Sequence, residues 1–387
     1  MYKRHCENEL RDLAAQYPVV TVTGPRQSGK TTLVRYVFSS KPYVNLENPD
    51  SRELADSDPR RFLSQYPEGA VLDEIQRCPV LLSYIQVIVD ESGQKGMYIL
   101  TGSLQLELHE AVTQSLAGRT ALLSLWPMSL AELSSAAIEL SLDEYLLLGG
   151  FPRVHQDQLN PTKAYRNYFQ TYVERDLRTL INVKDLSQFQ RFVRLCAGRI
   201  GHLVNFEGLS SEVGVSSHTI KNWISILETS FVTFRLAPYF ENLGKRLVKS
   251  PKLYFCDVGF ACYLLGIETL EQLARDPLRG QLVENLVVLE LTKLRQAQGL
   301  DPNLYFFRDA HGHEVDVIFK SANQLIPIEV KSAKTFNKRF LQQLNYFRSL
   351  VGERCPAAYL VYDGDLEQIV GGIELLNFRK VGQALLR

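Results

Sequence analysis

Gly24-Pro25-Arg26-Gln27-Ser28-Gly29-Lys30-Thr31 fits the pattern G-x-x-x-x-G-K-[S/T] at every fixed position. The β-rich run Val19 to Val22 leads into it, and Thr32-Leu33-Val34-Arg35-Tyr36-Val37-Phe38 leads out with helical character. Strand, glycine loop and helix in that order predict a backbone that curls its N–H groups around phosphate oxygens at a helix N-terminus. The loop residues Gly24, Pro25, Arg26, Gln27, Ser28, Gly29, Lys30, Thr31 and Thr32 are therefore the candidate contacts for ATP. In that arrangement Lys30 reaches the β- and γ-phosphates and the Thr31 hydroxyl ligates Mg2+.

The downstream stretch Glu68-Gly69-Ala70-Val71-Leu72-Asp73-Glu74 reads as a turn, a short buried strand and two acids at its carboxyl end. In a parallel sheet that end faces the ligand crevice. Asp73 is the candidate partner of the metal and Glu74 the candidate base for an attacking water. A further strand, Met97-Tyr98-Ile99-Leu100, ends in Thr101-Gly102-Ser103, whose Ser103 is a candidate γ-phosphate sensor or a simple turn residue. Arg119, after a glycine turn, is either an arginine finger, in its own site or a neighbour's, or a surface arginine.

Composition sets the surroundings. The chain has 387 residues, 45% hydrophobic and 22% charged, with formal net charge zero. That profile suits two or three globular domains and gives no global electrostatic case for a polyanion, so any such surface is local. Six cysteines without a C-x-x-C pair argue against a zinc ribbon or disulfide scaffold and point to a reducing cytoplasm. No run approaches bilayer length, no membrane partner is expected, and Met1 to Gln16 reads as a charged surface helix rather than a secretion signal.

The expected organisation is α/β. Residues 1–150 form a P-loop, AAA-like parallel-sheet domain, 151–240 a helical region with a winged helix-turn-helix, and 241–387 a C-terminal α/β domain. In the middle region Phe206 to Val213, Gly214-Val215 and Ser216 to Leu227 spell helix, turn and capped helix, with Phe231 to Leu236 following as a wing. DNA is a candidate partner there through Ser217, His218, Lys221 and Asn222, although only Lys221 in that helix is basic. The unit reads equally as an interdomain packing module, and Lys245 to Lys252 is a stronger basic patch.

In the last third, His313-Glu314-Val315-Asp316-Val317-Ile318-Phe319 and Gln324 to Val330 read as strands of a hairpin, with Glu329-Val330-Lys331 closing it. Alternation puts Glu329 and Lys331 on one face and lets Asp316 lie beside Glu329. Two carboxylates and a lysine suit a magnesium-dependent phosphodiester cleavage, the layout of the PD-(D/E)xK nuclease core. Glu284 on the preceding helix is a candidate third metal ligand, and Gln343 on the following helix a candidate contact to the scissile backbone.

Taken together, several stretches resemble a widespread prokaryotic family of AAA-type ATPases. They are Gly24 to Leu33, Tyr43-Val44-Asn45-Leu46-Glu47, Leu72-Asp73-Glu74-Ile75-Gln76, Thr101-Gly102-Ser103, Leu116-Ala117-Gly118-Arg119, Tyr172-Val173-Glu174-Arg175-Asp176-Leu177, Gly312 to Asp316 and Ile328 to Lys331. In that family an AAA-like domain precedes a C-terminal domain of unknown function with a restriction-endonuclease-like core. The resemblance covers nearly the whole chain and implies ATP binding and hydrolysis, without a substrate. Two functions follow as expectations: an ATPase with a DNA-related role, or a nucleotide switch whose nuclease-like domain is inactive and binds a partner. A regulator dominated by the helix-turn-helix fits less well, and a homo-oligomer is a candidate assembly.

Overall fold

The computed structural model describes residues 2–102, 115–172, 186–240 and 248–385. Ser103, Val173-Glu174-Arg175-Asp176-Leu177 and Lys245-Arg246-Leu247 lie outside the described residues.

Val19–Thr23 (β1) is buried along its whole length, as expected of a strand with both faces covered. It pairs in parallel with Tyr98–Thr101 (β4) on one side and Thr120–Ser124 (β5) on the other. Val71–Asp73 (β3) and Tyr43–Asn45 (β2) complete a sheet of order β2-β3-β4-β1-β5. Alternation along β1 feeds two cores. Val20 and Val22 pack with Leu33, Val34, Leu10 and Leu123 on one face, and Val19 joins Leu72, Leu100, Ile85 and Phe62 on the other. Leu33 and Val34 are almost fully buried. Each such side chain contributes about 1.5–3 kcal/mol, which anchors the helix Lys30–Val37 beneath the loop.

The N-terminal helix Glu7–Gln16 corrects the expectation of a mere surface helix. Its Leu10 and Ala14 are buried against the sheet, and the preceding Arg4 is buried too. Amphipathic spacing, with apolar residues only at intervals, is what a one-faced packing helix looks like in sequence.

After β5 the chain turns at Trp126 into short helices, among them Leu130–Ser135, Leu142–Leu148, Pro152–Gln156 and Pro161–Tyr168. One hydrophobic core runs from Met128 through the middle region to Ala384, so the middle and C-terminal parts share a single interior. Helices Phe206–Val213 and Ser217–Thr229 are joined through Gly214 at φ 83°, with Ser216 Oγ accepting from Thr219 N at 3.1 Å as N-cap. Thr233–Leu236 (β6) and Lys252–Phe255 (β7) then form an antiparallel ribbon.

The long helix Arg279–Gln296 precedes Leu304–Arg308 (β8), Glu314–Ser321 (β9) and Gln324–Lys331 (β10), which pair antiparallel in turn. Helix Gln342–Val351 carries the chain to Tyr359–Tyr362 (β11), parallel to β10. Ile369–Val370 (β12) and Ile373–Asn377 (β13) close a six-stranded mixed sheet. Among the described residues no helix is long and apolar enough to cross a membrane.

Candidate active site

The loop between β1 and the helix Lys30–Val37 is built by three left-handed or unusual backbones. Gly24 lies at φ 143°, Gln27 at 65° and Gly29 at 95°. At Gly24 a Cβ would stand 2.2 Å from the Leu125 carbonyl oxygen, so only glycine fits there. Lys30 is 6% exposed, and its ammonium donates to the carbonyls of Gly24 at 3.0 Å and Pro25 at 2.9 Å. Burial lowers its pKa to about 8, against the upward pull of Glu74 and Asp73 and with a further downward push from Arg26. The Ser28 hydroxyl is buried at the loop with no partner among the described residues. An ammonium lying on loop carbonyls and an unanswered hydroxyl are groups that an anionic ligand would engage.

Asp73 ends β3 and gathers three hydroxyls. Thr31 Oγ1 donates to it at 2.9 and 3.2 Å, Tyr43 Oη donates at 2.6 Å, and Thr101 Oγ1 also donates. Its contact with Thr31 brings a carboxylate and a hydroxyl oxygen together beside the loop. Glu74 follows at φ 58°, ψ 48°, a left-handed conformation rare for a side chain of its size. Its amide donates to Thr101 Oγ1 at 3.2 Å, and its carboxylate accepts from Gln76 Nε2. The turn brings Glu74 into the lining of the cleft, while Asp73 stays buried.

The cleft holds about 620 Å³, within the range of ligand pockets. Lys30, Thr31, Thr32, Arg26 and Glu74 line one side, and Pro152, Arg153, Gln156 and Tyr172 line the other. The far wall escapes sequence reasoning, which reads Gly149-Gly150-Phe151-Pro152 only as a change of pattern. The two glycines are a close-approach device. A Cβ at Gly149 would stand 2.3 Å from Asp257 Oδ1, and Gly150 N donates to Asp257 Oδ2 at 2.7 Å. Pro152 at the first helical position then starts the helix that presents Arg153, whose Nε donates to Asp157 Oδ2 at 2.9 Å on the exposed rim. Glycines followed by a helix-starting proline were the available signal.

Arg4 is a second omission. Its guanidinium donates to the Ser28 carbonyl at 2.9 Å, the Trp126 carbonyl at 2.6 Å and Glu132 Oε1 at 3.0 Å, all buried. It braces the loop from beneath. Nothing in the polar N-terminal sequence marks this arginine, because its partners lie 24, 122 and 128 residues away.

Arg119 is not brought to the cleft, which corrects its reading as a finger for its own site. It precedes the first residue of β5, at the opposite end of the parallel sheet from Lys30. There it makes two hydrogen bonds to Asp90, at 2.5 and 2.7 Å.

Two acids of the C-terminal region, Glu284 and Glu314, converge on one lysine. Lys252 on β7 is 2% exposed, and its ammonium lies 2.7 Å from Glu284 Oε1 and 2.5 Å from Glu314 Oε1. Tyr254 Oη donates to the same Glu284 oxygen. Asp316 Oδ2 accepts from Val330 N at 2.8 Å, and Lys331 Nζ lies 2.6 Å from Glu329 Oε1. Burial and the neighbouring Asp316 raise the Glu329 carboxyl, with Lys331 opposing. Burial and Asp316 likewise raise Glu284, with Lys252 opposing. Glu329 Oε2 is buried without a hydrogen-bond partner.

Among the described residues no group of three or more His, Cys, Asp or Glu is arranged to hold a metal ion. Of the expected set Glu284, Asp316 and Glu329, Asp316 lies close enough to raise both glutamates, but Glu284 is engaged by a lysine. Lys252, which in sequence reads only as the last cation of a basic patch, takes up Glu284. Gln343 sits nearby, but its Oε1 accepts from His313 Nδ1 at 3.2 Å, with His313 stacked on Tyr346.

A glycine loop ending a buried β1, a lysine within it and an acid-tipped neighbouring strand define a nucleotide-binding domain of the P-loop ATPase class. Residues 16–134 match the family described as AAA domain, 139–271 a domain of unknown function (DUF8612), and 279–381 another (DUF4143). The chain belongs to the family of the uncharacterized protein Rv2008c of Mycobacterium tuberculosis, to which it is 33% identical over 339 residues, 86% of this chain and 74% of that one. An uncharacterized protein of Haemophilus influenzae is 25% identical, covering 81% of this chain and 82% of its own. Among solved structures, the Walker-type ATPase PABY2304 of Pyrococcus abyssi aligns with TM-score 0.46 at 15% identity, covering 68% of this chain and 96% of its own.

Proposed function

We propose that this chain hydrolyses ATP with Mg2+ and couples the cycle, through its middle region, to a nucleic-acid role of the C-terminal domain. The observation that carries the ATPase reading is the cleft itself: Lys30, Thr31 and Glu74 line it, Lys30 rests on the loop carbonyls, and Thr31 donates to the buried Asp73.

In this reading Lys30 leaves the Gly24 and Pro25 carbonyls for the β- and γ-phosphates, and the loop amides take the remaining oxygens. Thr31 and Asp73 hold Mg2+, which when bound neutralises charge developing on the phosphates. Glu74 accepts a proton from a water whose oxygen attacks the γ-phosphorus, and the bond to the bridging oxygen of ADP breaks. Arg153 faces the same cleft from the middle region and would link nucleotide state to that region. Arg119 is left as a finger supplied to a second copy in a homo-oligomer, on release from Asp90. ATP turnover tests this. Wild type is expected to hydrolyse ATP with Mg2+ and not with chelator, and Lys30→Ala to lose turnover. Equal turnover by Lys30→Ala contradicts it.

The order helix Arg279–Gln296, three antiparallel strands, helix Gln342–Val351 and parallel β11 supports a PD-(D/E)xK-like reading of the C-terminal domain. Asp316 and Glu329 would then hold a metal with Lys331 beside them. The ribbon β6–β7 after the two helices supports the winged-helix reading. Its cations speak against that unit as the DNA reader: Arg235 pairs with Glu228, Arg199 with Glu212, and Lys221 lies over the Phe206 ring.

A second reading is favoured by Lys252. With Glu284 and Glu314 held by one buried ammonium, the domain is a partner-binding module and the protein a nucleotide switch. The two separate on one assay. Metal-dependent DNA cleavage that disappears in Glu329→Ala supports the nuclease. Continued ATP turnover with no cleavage of single-stranded, duplex or branched DNA supports the switch.

A further inference from the structure

We infer that the segment Lys331–Arg339, which follows β10, is a binding surface for a nucleic-acid backbone leading to the Glu329–Lys331 site. This rests on the nucleic-acid role proposed above and names the surface that would carry it.

The sequence Lys331-Ser332-Ala333-Lys334-Thr335-Phe336-Asn337-Lys338-Arg339 holds four cations and no acid, in a chain of net charge zero. Lys334, Lys338 and Arg339 are exposed. None of the three makes an ion pair among the described residues, although Asp363 lies near enough to Lys334 to feel its charge. The backbone beneath them is pinned. Arg279 Nη1 donates to the Ser332 carbonyl at 2.7 Å, and Asp363 N donates to the Ala333 carbonyl at 3.2 Å. Asn337 Oδ1 accepts from Arg339 N at 2.9 Å, and Phe336 and Phe340 pack against the core below.

The aromatics therefore anchor the segment and the cations stand free above it. Exposed cations on a pinned backbone, in no ion pair among the described residues, suit contacts to phosphates. Lys331 joins this row to the carboxylate site, being itself paired with Glu329. A phosphodiester chain held by the three cations would lie in the segment that directly follows the strand end carrying Glu329 and Lys331.

The test is anisotropy of labelled single-stranded and duplex DNA with the full chain across a salt series. In the variant Lys334→Gln/Lys338→Gln/Arg339→Gln, the slope of log affinity against log salt should fall by about 2 for single strands and about 2.7 for duplex. Each single change should remove about one third of that, and DNA-free ATP turnover should stay at the wild-type level. An unchanged slope in the triple variant overturns the inference. So does preferential competition by poly-glutamate, which would mark the row as a site for acidic protein. ATP turnover with no DNA binding overturns this inference alone, whereas DNA binding without ATP turnover overturns the ATPase reading alone.

Discussion

Glu74→Gln is expected to lower steady-state ATP turnover by about 10²–10⁴-fold, the usual worth of a positioned general base. The replacement keeps size and hydrogen-bonding capacity and removes only the ability to accept a proton. Glu74 stands at φ 58°, with its backbone N–H on Thr101 and its side chain on Gln76, so a glutamine can take the same place. Nucleotide affinity should therefore remain within a few-fold of wild type, because Lys30, Thr31 and Asp73 are untouched. Rapid-quench turnover and equilibrium binding on the same preparation separate the two effects. A loss of less than tenfold would mean that another group activates the water. A parallel collapse of binding would mean that Glu74 supports the loop rather than the chemistry.

Arg4→Met is expected to destabilise the nucleotide-binding domain by about 3–5 kcal/mol, the cost of stranding a buried partner charge. The arginine and Glu132 are 7% and 6% exposed at their side chains, so solvent does little to replace the lost contact. For a domain of this size that corresponds to a melting point lower by about 6–20 °C. The double change Arg4→Met/Glu132→Met should recover part of the loss by removing the orphaned carboxylate.

The pH dependence has a defined sign. Burial raises the Glu132 carboxyl, but Arg4 and the amides of Ser129 and His5 outweigh it and hold it below its ordinary value. A carboxyl lowered in the folded state stabilises above its unfolded pKa and loses that contribution as pH falls through the folded one. The acid side of the wild-type stability curve should carry this loss, and the Arg4→Met curve should lack it. Thermal melts from neutral to acid pH check both. A shift below 1 °C in the single variant would show that the brace is dispensable.

Much of the first domain was legible because its signals are local. The strand Val19 to Val22, the glycine loop and the acids closing Val71-Leu72-Asp73 are each set by a few adjacent residues. The hairpin of Glu314–Ser321 and Gln324–Lys331 was legible for the same reason: alternation over eight residues on each strand fixes the face of Asp316 and Glu329. What was not legible depends on partners far apart in the chain. Lys252 reads as one cation in a basic run until β7 carries it to Glu284, and Arg119 reads as a finger until sheet topology puts it at the wrong edge. The far wall at Arg153 belongs with these, since a helix of five residues has no periodicity to read.

Calorimetric titration of the full chain with ATP and magnesium tests the central claim most directly. The expected result is one saturable site per chain that disappears in Lys30→Ala. Wild type that shows no saturation at millimolar nucleotide, or Lys30→Ala that binds as wild type does, would contradict it.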